Sequence, residues 1–207
     1  MKHEWRKHEK SLYLPKATPD LVEVPAQRFF MINGQGNPNG EEFAERVKVL
    51  YSMAYAVRMM PKGGVTPPGY VEYTVYPLEG VWSLTEKGRK LKELNKDEFL
   101  YTIMIRQPEF VTKEVAQMAL EKVMKKNPHP FLEQVYFQTS EESLNIQMLH
   151  IGPYDEEPKS FAKMDEFAQK NNLLRIEKEH REIYLSDARK AAPEKLKTVL
   201  RYRVQPK

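Results

Sequence analysis

The sequence contains no cysteine. Disulfides, thiolate metal sites and a cysteine nucleophile are therefore excluded together. It has no apolar run near the ~18 residues a membrane span needs, so no membrane association is expected. Its start, Met1-Lys2-His3-Glu4-Trp5-Arg6-Lys7, lacks the apolar stretch of a secretion signal, and a cytoplasmic protein is the expectation. Long blocks of like charge are also missing. The 33 basic and 29 acidic residues are interleaved along the chain and leave a formal charge of +4, which describes a solvated surface rather than a phosphate-binding stripe. No nucleic-acid partner is expected.

Cofactor motifs are equally scarce. The pair Gly34 and Gly36 lacks the third glycine and the Lys-Ser/Thr ending of a phosphate loop. The histidines are His3, His8, His129, His150 and His180, and none has a histidine partner four residues away with a glutamate between them. Neither a metal nor any other cofactor is expected. Ser186, His180 and Asp187 lie on one short strand, where adjacent side chains point to opposite faces, so they cannot converge as a nucleophilic triad.

What is present is an ordinary globular composition, 41% hydrophobic and 30% charged, with 11 Tyr, 9 Phe and 15 Pro in 207 residues. Residues 1–28 read as an extended, Pro-broken arm packed down by Trp5, Leu12, Tyr13 and Leu14. A strand at 28–33 follows, then a Gly/Asn/Pro turn. The next helix is capped by Asn39 with Glu42 as partner, and Phe43, Val47, Leu50, Ala54 and Val57 form its apolar stripe. Tyr70 to Tyr76 reads as a strand, and Phe99 to Ile105 as a central one covered on both faces. Thr112 caps a second helix, which ends before Pro128. Further strands are expected at 131–138, 144–151 and 180–187, helices from Pro158 and over 193–200, and a last strand at 201–204.

Strand, turn, helix and strand thus occur twice. The pattern predicts an α+β fold of two pseudo-twofold-related strand-helix-strand-strand modules, about 29–127 and 128–207, in one domain with the arm 1–28. The sheet is mainly antiparallel with helices on one face, and a ligand cleft lies at the seam.

Within 180–187, alternation sets Ile183 and Leu185 against a helix layer and puts Glu182, Tyr184 and Ser186 on the other surface. A lone strand glutamate is most often solvated. The alternative is a carboxylate roofed by aromatic side chains from other strands.

Several stretches resemble the GyrI-like small-molecule-binding family. They are Leu12-Tyr13-Leu14-Pro15-Lys16, Phe29 through Asn39, Tyr76-Pro77-Leu78-Glu79-Gly80-Val81-Trp82, His150-Ile151-Gly152-Pro153-Tyr154 and His180 through Leu200. They cover most of the chain in order. The resemblance implies an aromatic pocket for bulky polycyclic or cationic aromatic compounds, met by a buried glutamate, here Glu182. It is closest in kind to the stand-alone branch without a helix-turn-helix, some members of which hydrolyse the cyclopropane of DNA-alkylating cyclopropanoids. On that reading Glu182 is a general base without metal or cofactor, and Tyr184 either donates to a developing oxyanion or packs across the sheet. Trp82 and Glu79 stand at the rim, Glu79 being equally a turn residue, and Tyr70, Tyr73, Tyr136 and Phe137 are wall candidates that lie on both faces of their strands, so not all of them can line the pocket. Ser83 replaces the second tryptophan that relatives carry after Leu-Glu-Gly. The implied role is detoxification of a small-molecule ligand. The alternative is a non-catalytic protein that sequesters drugs or regulates a protein partner such as a topoisomerase.

Overall fold

The computed structural model describes residues 2–207. In chain order the elements are α1 (Trp5–His8), α2 (Lys10–Tyr13), β1 (Asp20–Val24), β2 (Gln27–Gln35), α3 (Glu41–Arg58), β3 (Leu78–Leu84) and β4 (Phe99–Gln107). They continue with α4 (Lys113–Lys126), β5 (Tyr136–Ser140), β6 (Ser143–Ile151), α5 (Glu157–Lys170), β7 (Leu173–Arg175), β8 (His180–Tyr184) and β9 (Lys197–Pro206). The chain is α+β with antiparallel strand pairing, and it divides into two compact units.

The first unit holds residues 27–78 and 83–140 with residues 2–4. Its sheet places β2 between β4 and β5, both antiparallel to it. Phe29, Phe30, Ile32, Ile103, Met104 and Ile105 are completely buried, so β4 is covered on both faces as its unbroken apolar run predicts. Helix α3 lies on this sheet and buries Leu50, Met53, Ala54 and Val57, while Phe43 and Val47 are only half-buried. Gly40 rather than Asn39 precedes the helix. The Asn37 side chain accepts from the Asn39 N–H at 3.0 Å and folds the turn onto itself before Asn39 can cap. Thr112 does cap α4, its hydroxyl accepting from the Val115 N–H at 3.3 Å.

Residues 70–76 do not form the expected strand. Their one ladder contact is a parallel bridge between Tyr73 and His3. The backbone groups are met otherwise: Arg58 Nε donates to the Tyr73 carbonyl at 2.6 Å, and the His3 backbone pairs with Glu72 and Thr74. With Pro67-Pro68 before and Pro77 after, a β ladder has little length in which to start. Residues 131–138 are also redistributed, into a tight turn at Pro130–Gln134 and strand β5.

The second unit holds residues 5–26, 79–82 and 141–207. Its strands run in the order β1, β6, β9, β8, then residues 79–82 of β3, and every pairing is antiparallel. The short β7 also pairs with β9. The arm is therefore more regular than expected, with two short helices and an edge strand. Trp5, Leu12 and Tyr13 are buried, whereas Leu14 is exposed. The helix expected at 193–200 is a single turn at Pro193–Lys195 followed by β9. Thr198, Leu200, Tyr202 and Val204 alternate with Val199 and Arg201, and both sets are buried, which is the signature of a strand covered on both sides. Helix α5 closes one side, and Met164 and Ala168 form a core with Ile146, Met148, Leu200 and Tyr202.

Candidate functional site

Strand β8 lies between β9 and β3, and its register sets the site. Glu182 stands opposite Gly80 on β3 and Leu200 on β9, His180 opposite Trp82, and Tyr184 opposite Thr198. Directly opposed residues share a face, so His180, Glu182, Tyr184 and Trp82 project from the same side as Leu200. That is the side packed by α5. The sequence assigned Ile183 to the helix layer instead. Ile183 is fully buried, yet its face carries Arg181, Glu79 and Arg201, and Arg201 donates there to the Leu12 carbonyl of the arm. Both faces of β8 are covered, so alternation could separate the two sets but not say which one met the helix.

On the α5 side Glu182 is buried and each of its carboxylate oxygens has a partner. The Tyr184 hydroxyl donates to Oε2 at 2.8 Å, and His180 Nε2 lies 2.8 Å from Oε1. Trp82 Nε1 donates in turn to the Tyr184 hydroxyl at 2.7 Å. Gly80 makes this chain of bonds possible, because a Cβ there would come within 2.7 Å of Trp82 Nε1 and 3.2 Å of the Tyr184 hydroxyl. Burial, then the charge of Glu182, raises the Tyr184 phenol well above its ordinary pKa.

Two residues outside the sheet complete the cluster. In the turn after β6, Gly152 has φ of +135°, a region open to glycine. His150 fixes this turn to α5, its ring nitrogens lying 2.9 Å from the Ser160 hydroxyl and 3.1 Å from the Pro153 carbonyl. Tyr154 consequently meets Tyr184 edge to face at 6.2 Å, and burial with the nearby Glu182 pushes its phenol up to about 12. Pro158 lies in the first turn of α5, which begins at Glu157. Glu157 is buried, its Oε1 accepts no hydrogen bond, and burial followed by the charge of Glu182 holds its carboxyl well above the ordinary range. One ligating atom each from Glu157, His180 and Glu182 lies within 4.8 Å of the others. Phe161, one turn further along α5, packs its ring 4.7 Å from His180.

Of the residues singled out from sequence, Glu182, Tyr184 and Trp82 are brought together. Glu79 is not: it stands opposite Ile183, is buried on the other face, and has Arg181 Nη1 3.4 Å from Oε2. Tyr70, Tyr73, Tyr136 and Phe137 belong to the first unit. There Tyr70 and Tyr73 pack on Phe110 at 5.1 and 6.0 Å, Tyr136 donates to Asn33 Oδ1 at 3.0 Å, and Phe137 meets Phe30 at 5.6 Å. The sequence reading missed His180, Tyr154 and Glu157. Two-residue alternation would have found His180, but nothing in the local pattern marks Glu157.

The profile of the GyrI-like small molecule binding domain matches residues 17–205. Among solved structures, a hydrolase encoded by lin2189 from Listeria innocua is 40% identical, with a TM-score of 0.90 over 99% of this chain and 100% of that one. A hydrolase from Listeria innocua is 38% identical, with a TM-score of 0.89 over 98% of this chain and 100% of the other. The EcmrR C-terminal domain shares the fold at 14% identity and a TM-score of 0.53, over 92% of this chain and 98% of that domain. No curated protein matches the chain.

Proposed function

The chain belongs to the GyrI-like small-molecule-binding family, and from that premise we propose that it binds polycyclic or cationic aromatic compounds at Glu182 and hydrolyses the strained ring of cyclopropanoid genotoxins. The observation that carries this reading is the buried Glu182 carboxylate, held by Tyr184 and His180 and flanked by Trp82 and Tyr154. A buried carboxylate with aromatic neighbours recognises a flat cation by charge and by cation–π contact. The relatives described as hydrolases support the catalytic half.

In the proposed reaction a water attacks a cyclopropane carbon conjugated to a dienone. The new C–O bond forms as the ring C–C bond breaks, and the electron pair moves through the dienone to its oxygen, giving a phenolate. Glu182 takes the proton of the attacking water, through lone pairs that its two hydrogen bonds leave open. That proton ends on the phenolate oxygen. The proton of Tyr184 is committed to Glu182, which suits Tyr184 to orienting the base. Tyr154, exposed to solvent and close enough to feel the charge of Glu182, is the better placed donor to the developing oxyanion. Trp82 would hold the flat ring system against the carboxylate.

Incubation with excess cyclopropanoid tests this directly by mass spectrometry. The expected product is heavier than the substrate by one water, with turnover beyond one equivalent of protein that Glu182→Gln abolishes. Stoichiometric binding without product would leave sequestration as the function.

A further inference from the structure

We infer that Glu157, His180 and Glu182 form a binding site for a single divalent first-row metal ion. The three side chains come from two elements whose placement is fixed independently. His180 and Glu182 are two residues apart on β8 and so share its face, and Glu157 starts the helix that packs on that face. Their ligating atoms gather within 4.8 Å. An ion bound in tetrahedral geometry by oxygen and imidazole nitrogen at about 2.0–2.2 Å holds its ligands roughly 3.3–3.6 Å apart, so the side chains must draw together by on the order of an ångström. Exposed acidic groups gather without an ion because water screens them, but this group is not of that kind. Glu157 and Glu182 are only 7% and 8% exposed, and Glu157 Oε1 is sealed with no hydrogen-bond donor on it.

Two buried carboxylates this close cannot both stay negative without compensation. A proton is one means of neutralising the pair, and a divalent cation is the other. The donor set, one imidazole and two carboxylates in a chain without cysteine, suits Zn²⁺, Co²⁺ or Mn²⁺ and not a thiophilic ion. Contacts lie beside two of the ligands: Tyr184 donates to the second oxygen of Glu182, and the Phe161 ring packs edge to face against His180. The His180 side chain remains 23% exposed, which leaves a path for the ion from solvent. The site shares Glu182 with the proposed reaction, and an ion there would compete with an aromatic cation for that carboxylate, so the test reads metal binding by itself.

The test is calorimetric titration of the untagged, chelator-treated protein with ZnCl₂, CoCl₂ and MnCl₂ near pH 7, repeated in buffers of different ionisation enthalpy. The expected result is one ion per chain, with affinity at least tenfold weaker in both Glu157→Gln and His180→Gln. Wild-type protein loaded with Co²⁺ should show ligand-field bands distinct from the aquo ion, a readout that does not depend on how the variants fold. No saturable binding up to millimolar metal would overturn the inference. So would binding that survives in both variants, or a Co²⁺ spectrum unchanged from the free ion.

Discussion

The Tyr184 hydroxyl donates to Glu182 Oε2 at 2.8 Å while accepting from Trp82 Nε1 at 2.7 Å, so one phenol ties the carboxylate to the indole. All three side chains are largely withdrawn from water, which strengthens each bond and makes each loss costly. Tyr184→Phe keeps the ring and removes both bonds. The expected cost is about 1–3 kcal/mol of stability, read as a lower midpoint in urea denaturation. A midpoint equal to wild type would show that the phenol contributes nothing there.

Gly80 makes a sharper case, because the change is a single methyl group at a residue that carries no side chain to the site. A Cβ at Gly80 would press on Trp82 Nε1 and the Tyr184 hydroxyl from 2.7 and 3.2 Å. Gly80→Ala should displace the indole, quench or shift its fluorescence, and weaken aromatic ligand binding about tenfold or more, a loss on the order of 1.4 kcal/mol. Unaltered emission and affinity would mean that the close approach is without consequence.

The position of Glu157 predicts an unusual pH dependence. Its carboxyl titrates higher in the folded chain than in the unfolded one, so the folded state binds more protons in the interval between them. The stability it contributes is therefore complete below the ordinary carboxyl range, near 4.5, and is lost as pH rises. Asp187 acts in the opposite sense, with its carboxyl held at about 2 by Arg189, so its contribution fades only as pH falls below about 4. The two windows do not overlap. Relative to wild type, Glu157→Gln should gain stability between pH 5 and pH 8, measured by thermal melts in metal-free buffer. A stability difference that stays constant over this interval would contradict the assignment.

Packing beside the site gives an ordinary control. Leu200 is fully buried, stands opposite Glu182 and belongs to the core of the second unit. Leu200→Ala should cost about 2–5 kcal/mol, measured by denaturant midpoint. A change under half a kilocalorie, well below that range, would mean the site tolerates a cavity directly beside it.

The fold class was legible because its signals were local. The unbroken apolar run of β4, the Thr112 cap and the periodic faces of α4 and α5 each declare one element. Misreadings fell where a contact distant in sequence decides. Tyr70 to Tyr76 has the composition of a strand, but Arg58 and His3 take its backbone groups, and Pro193 opens one turn before β9 claims the following residues. In the site, alternation put Glu182 and Tyr184 on one face, and the family resemblance rather than the local pattern marked that face as functional. Glu157 was marked by neither, because its role depends on how α5 lies over β8, and Glu79 was misplaced because its face depends on its pairing with Ile183.

The central claim is that Glu182 is the point at which an aromatic cation is held, and fluorescence titration with ethidium, a flat polycyclic cation, tests it most directly. Saturable binding by wild-type protein is expected, with a loss of about 2–5 kcal/mol in Glu182→Gln, as when one member of a desolvated charge pair is removed. Equal affinity of the two proteins for the dye, both folded by circular dichroism, would contradict it.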